Sequence, residues 1–101
     1  MAEFQSVGPA EVEDGEADAF EVDGRKVAVA NIDGSLYAFD DTCTHMGCSL
    51  AQGELDGTSI ECPCHGSRFD VTTGSVLHGP ATDPVETFEA KVEDGDLQIA
   101  L

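Results

Sequence analysis

The chain has no tryptophan, no long apolar run and very little positive charge. Each shortage excludes something. No stretch approaches the ~20 consecutive apolar residues that a membrane-spanning helix needs. Residues 1–10 carry neither a basic start nor an apolar segment, so they do not read as a secretion signal. A soluble, cytoplasmic protein is expected. Only four basic residues (Arg25, Lys26, Arg68 and Lys91) face 21 Asp and Glu, for a net charge of −17. Nucleic acid would be repelled, because affinity for it comes chiefly from cations that neutralise phosphates. An anionic membrane surface is disfavoured for the same reason. Three readings of the acidity stay open: solubility, steering of a basic partner, and adaptation to high salt, where ions screen self-repulsion. At 101 residues, one domain covering 1–101 is expected.

What is present reads as β-structure. Asp-Gly recurs at 14–15, 23–24, 33–34, 56–57 and 94–95, and such pairs suit the positive φ angles of hairpin turns. Between them, Ala19–Val22, Arg25–Ile32 and Ser35–Asp40 predict a three-stranded meander. Glu86–Val92 and Asp96–Leu101 predict a late hairpin. Phe88, Ala90 and Val92 alternate onto one face, as do Leu97, Ile99 and Leu101. Gly and Pro interrupt the chain too often for a long helix. An all-β fold of antiparallel sheets follows.

The segment from Thr42 to Pro84 holds all four Cys, all three His and three of the four Pro. Cys43-Thr44-His45 and Cys62-Pro63-Cys64-His65 each offer a thiolate and an imidazole from a short loop. Sixteen residues separate His45 from Cys62, enough for a short hairpin that brings the arms face to face. Two Cys and two His can hold structural zinc. Zinc fingers, however, usually pair Cys with Cys and His with His, whereas each arm here mixes the two. The mixture suits a [2Fe–2S] cluster with two Cys on one iron and two His on the other. Spacing alone favours the cluster and leaves a zinc-stabilised binding module open.

Cys43-Thr44-His45-Met46-Gly47-Cys48 and Cys62-Pro63-Cys64-His65-Gly66-Ser67 resemble the two cluster-binding boxes of the Rieske family, C-x-H-x-G-C and C-P-C-H-G-S. Every defined position matches. The likeness continues through Gly79-Pro80-Ala81 and Pro84-Val85 to the closing hairpin. It implies a Rieske-like fold with a cluster-binding subdomain of two loops at about 42–84. It also implies one [2Fe–2S] cluster, bound by Cys43 and Cys62 on the buried iron and by His45 and His65 on the outer one. It pairs Cys48 with Cys64 in a disulfide, although disulfides are uncommon in a reducing cytosol. Around the cluster it places Gly47 and Gly66, whose backbone N–H groups approach the sulfurs. It adds Ser67, whose hydroxyl donates to a bridging sulfide, and Pro80, which stiffens a covering loop. His78, before that loop, reads as a surface residue.

The resemblance implies a one-electron carrier, not an enzyme. An oxygenase would need a further two His and a carboxylate for its mononuclear iron, and only His78 remains after His45 and His65. The implied donor is a flavin-dependent ferredoxin reductase. The implied acceptor is a terminal oxygenase or similar protein, with a basic docking surface on the partner. A small Rieske-like subunit of a larger redox enzyme, such as nitrite reductase, is the alternative.

Phe69 departs from the high-potential members of the family, which carry a Tyr whose hydroxyl donates to a Cys sulfur. Phe69 cannot donate, so a lower potential than theirs is expected. Phe69→Tyr should raise the midpoint in a redox titration; an unchanged or lower midpoint would contradict this role.

Overall fold

The computed structural model describes residues 4–9, 12–22, 24–42, 48–64, 66–79 and 83–100. Ten strands follow in order: β1 (Phe4–Pro9), β2 (Ala17–Val22), β3 (Arg25–Ile32), β4 (Ser35–Asp40), β5 (Glu54–Asp56), β6 (Ser59–Glu61), β7 (Arg68–Asp70), β8 (Val76–His78), β9 (Thr87–Glu93) and β10 (Asp96–Ala100). Among the described residues, one 3₁₀ turn, Leu50–Gln52, precedes β5. The strands form two antiparallel sheets. The larger runs β1-β10-β9-β4-β3-β2, and the smaller runs β5-β6-β7-β8. The larger sheet curls until its edge strands β1 and β2 approach each other.

The expected meander is present as β2, β3 and β4, with β2 beginning two residues earlier than expected. The late hairpin is present as β9 and β10. Two of the five Asp-Gly pairs take the expected hairpin geometry; at 14–15 and 56–57 only the glycine has a positive φ, and Asp23 lies outside the described residues. Asp33 and Gly34 sit at φ 53° and 85°, and Asp94 and Gly95 at 52° and 77°. These positive angles at both central residues give the turn twist that a hairpin accepts. Strand β1 was not expected. It contains Gly8 and Pro9, pairs only along its β10 side and bulges between Ser6 and Gly8. An edge position is where a sheet tolerates Gly and Pro.

Strand β3 separates two cores. Val27 and Val29 join Val12, Val22, Ala38, Leu97 and Ile99 inside the curled sheet. Ala28 and Ala30 face the other way, into a cluster with Phe39, Leu50, Ile60, Cys62, Phe69, Val71 and Val85. That second core joins the large sheet to the small one. Alternation puts the valines on one side and the alanines on the other. The small alanine side chains leave room for Phe39 and Phe69, which are fully buried. Phe88 and Ala90 pack against the first core as expected. Val92 does not: it is 47% exposed, one residue pair from the Asp94-Gly95 turn of the hairpin. Leu101 lies outside the described residues.

Ala28→Leu would force extra carbons into a fully buried site between the two sheets. Overpacking of this kind costs about 1–3 kcal/mol. The urea midpoint should fall accordingly, and an unchanged midpoint would mean that the sheets do not close on this face.

Candidate metal centre

The second arm lies on the small sheet. Strands β6 and β7 pair Ile60 with Phe69 and Glu61 with Arg68. The ladder then closes through Cys62: its N–H donates to the Ser67 carbonyl at 2.7 Å, and the Gly66 N–H donates to the Cys62 carbonyl at 3.1 Å. The connection between Cys62 and Ser67 is therefore a tight hairpin tip. Gly66 lies at φ 76°, a backbone conformation that a side chain would strain. Cys62 and Ser67 are buried at its root, while Pro63 and Cys64 are exposed. Phe69 occupies the same buried cluster as Cys62, two residues beyond Ser67.

β4 ends at Asp40, three residues before Cys43 in the sequence. Thr42 and Ser49 pair as an isolated antiparallel bridge, which closes the base of the loop between them. Cys48 and Cys64 are joined in a disulfide, with Cα atoms 6.5 Å apart. This is the pairing the resemblance implied, and it ties the loop on the large sheet to the hairpin tip on the small one. The sulfurs of Cys48, Cys62 and Cys64 lie within 4.8 Å of one another. Two of the three are committed to the disulfide, so Cys62 is the ligand candidate among them. Cys43, His45, His65, Gly47 and Pro80 lie outside the described residues.

The described part of the site suits an iron–sulfur cluster. A buried cysteine, sheltered by Ile60 and Phe69 and rooted by two backbone hydrogen bonds, offers a soft donor away from water. A third segment closes on it. Gly79 follows β8 and packs so tightly that an added Cβ would lie 2.5 Å from the Ser67 Cα. His78 is exposed beside it and pairs with Arg68 across the strands, as a surface residue.

Charge around this sheet is mostly negative. Its single arginine, Arg68, reaches Glu61 at 3.2 Å and Asp56 at 3.8 Å. On the large sheet Arg25 pairs with Glu86 and lies over the Phe88 ring, and Lys91 pairs with Glu93 and lies over Phe4. Three of the four cations are thus held by the chain's own carboxylates. The sequence did not single out Asp41. It stands two residues before the first Cys of the first box, is 2% exposed, and accepts hydrogen bonds from Ser49 and Ala51. Nothing in the sequence separates it from the solvated carboxylates around it.

Comparison with known proteins gives concordant results. The family model of the Rieske [2Fe–2S] domain matches residues 4–89. The ferredoxin component of the naphthalene 1,2-dioxygenase system of Pseudomonas putida is 35% identical over 98 residues, covering 97% of this chain and 94% of that protein. The ferredoxin of Sphingomonas yanoikuyae B1 superposes with a TM-score of 0.90 at 37% identity, covering 98% of this chain and 99% of the other. A chain in the complex of reduced oxygenase and oxidized ferredoxin of carbazole 1,9a-dioxygenase gives a TM-score of 0.88 at 37% identity. That match covers 96% of this chain and 92% of the other.

Gly79→Ala would meet both a positive φ of 99° and the Ser67 backbone. A destabilisation of about 2 kcal/mol is expected from strain and contact together. It should appear as a lower thermal midpoint and faster cluster bleaching. A variant that behaves as wild type would show that this segment does not bear on the hairpin tip.

Proposed function

Because the chain belongs to the Rieske [2Fe–2S] domain family, we propose that it passes single electrons from a flavin-dependent reductase to a terminal oxygenase or similar acceptor, as in the dioxygenase systems of its relatives. Its cofactor is a [2Fe–2S] cluster, and it is an electron-transfer protein, not a catalyst. Cys43 and Cys62 would hold one iron and His45 and His65 the other. Residues of about 42–84 form the cluster-binding part of one domain, and the protein works in the cytoplasm. The observation that carries the reading is the buried root of Cys62 and Ser67 at a hairpin tip, bridged by Cys64 to Cys48.

When bound, the cluster supplies a site that takes up and returns one electron. The chain's own groups set the conditions for that exchange. The tight hairpin holds the Cys62 thiolate away from water. Two imidazoles in place of two thiolates leave less negative charge on the centre, which raises its potential. The Ser67 hydroxyl would stabilise the electron-rich state of a bound cluster by offering it a hydrogen bond. Phe69 supplies packing and no donor. The disulfide limits how far the two arms can separate, and a restrained site needs less rearrangement when its charge changes.

The partner's docking face is basic. With most of the cations internally paired, the surface around the site attracts positive charge and hastens encounter. Electron transfer to an oxygenase, driven by NADH and a flavoprotein reductase, should slow steadily as salt is added. The Debye length shrinks from about 10 Å at 0.1 M to about 3 Å at 1 M. A rate that stays flat or rises with salt would count against the steering, and no transfer to any such oxygenase would count against the acceptor class.

A further inference from the structure

The buried carboxylate of Asp41 occupies an unusual place. It sits at the mouth of the first arm, where the chain leaves β4 and where it returns at Ser49. Its Oδ2 accepts from the Ser49 hydroxyl at 2.7 Å, and its Oδ1 accepts from the Ala51 N–H at 2.9 Å. Its backbone is engaged too. The Leu50 N–H donates to the Asp41 carbonyl at 2.7 Å, and the Asp41 N–H donates to the Lys26 carbonyl on β3 at 3.2 Å. One residue therefore anchors the outgoing strand to the large sheet and holds the returning segment, Ser49 to Ala51, by three hydrogen bonds.

Burying a carboxylate is unfavourable unless its oxygens are hydrogen-bonded. Here both oxygens are, and both bonds go to the returning segment. The segment so closed contains Cys43, His45 and Cys48. Cys48 passes the restraint on to Cys64 and to the second arm through the disulfide.

We propose that Asp41 is a positioning residue for the cluster: its carboxylate clamps the mouth of the 42–49 loop and thereby sets the first pair of ligands against the second. The proposal rests on the ligand assignment above. It assigns the effect to hydrogen-bond geometry. Asn at this position keeps an oxygen for the Ala51 N–H and an amide that the Ser49 hydroxyl can accept from. Ala keeps neither and leaves a partly buried N–H and hydroxyl without those partners.

The test compares cluster-loaded wild type with Asp41→Ala, Asp41→Asn and Ser49→Ala, using three readouts. These are the EPR spectrum of the reduced state, the rate of cluster loss to a chelator, and the rate at which dithiothreitol opens Cys48–Cys64 in the cluster-free chain. In Asp41→Ala, cluster loss and disulfide opening should each quicken on the order of tenfold, the size expected for losing buried hydrogen-bond partners. Its EPR signal should broaden or shift. Asp41→Asn should stay near wild type on all three, and Ser49→Ala should fall between. Wild-type EPR and rates in Asp41→Ala, with only a lowered melting temperature, would reduce Asp41 to a structural residue and overturn the proposal. So would an Asn variant as impaired as Ala. If Asp41→Ala does not fold, Ser49→Ala decides, and unchanged EPR and rates there also overturn it. A wild-type spectrum without a Cys/His-ligated cluster would instead defeat the ligand assignment.

Discussion

Two loops that grow from different sheets must meet, and the Cys48–Cys64 disulfide is the covalent bond that holds them together. The first loop leaves β4 of the curled sheet, and the second is the tip between β6 and β7 of the small one. With a sequence separation of 16, the link removes conformational freedom worth about 3 kcal/mol from the unfolded chain in the loop-entropy model. Its larger consequence is geometric. Cys64 lies between Cys62 and His65 in sequence, so the bond ties the second ligand box to the first. The packing of Ala28, Ala30, Phe39, Ile60 and Phe69 supports the same join from beneath. The site thus depends on both sheets, and the relation between them depends on β3 being buried on both faces.

Much of this was legible in the sequence, for identifiable reasons. Asp-Gly pairs fix turns because the positive φ angles at Asp33-Gly34 and Asp94-Gly95 are local demands. The family is legible because two short Cys/His boxes carry it, and the family model matches residues 4–89. Strand β1 was hidden because its Gly8 and Pro9 weaken a strand pattern, and only its pairing with β10 makes it one. The exposure of Val92 was hidden because alternation says which residues share a face but not where that face runs out of core. Asp41 was hidden for a related reason. Its burial follows from the return of Ser49 and Ala51, which is a tertiary event.

The charge distribution joins the fold to its work. The acid surplus is spread over both sheets, and the basic residues are largely occupied within the molecule. Arg68 binds carboxylates from β5 and β6 and so helps hold the small sheet together while adding little outward positive field. On the proposal above, a negative surface would speed encounter with a basic partner more than it would lengthen the complex's lifetime. That matches a carrier that must leave one protein to reach the next.

The central claim is that two histidines and two cysteines, brought together by this loop pair, hold the cluster. The most direct measurement is pulsed EPR of the reduced protein grown with ¹⁵N-histidine, read for nitrogen hyperfine coupling. The account predicts two strongly coupled histidine nitrogens, with one lost on substituting either His45 or His65. A spectrum without histidine coupling, or one unchanged by both substitutions, would contradict it.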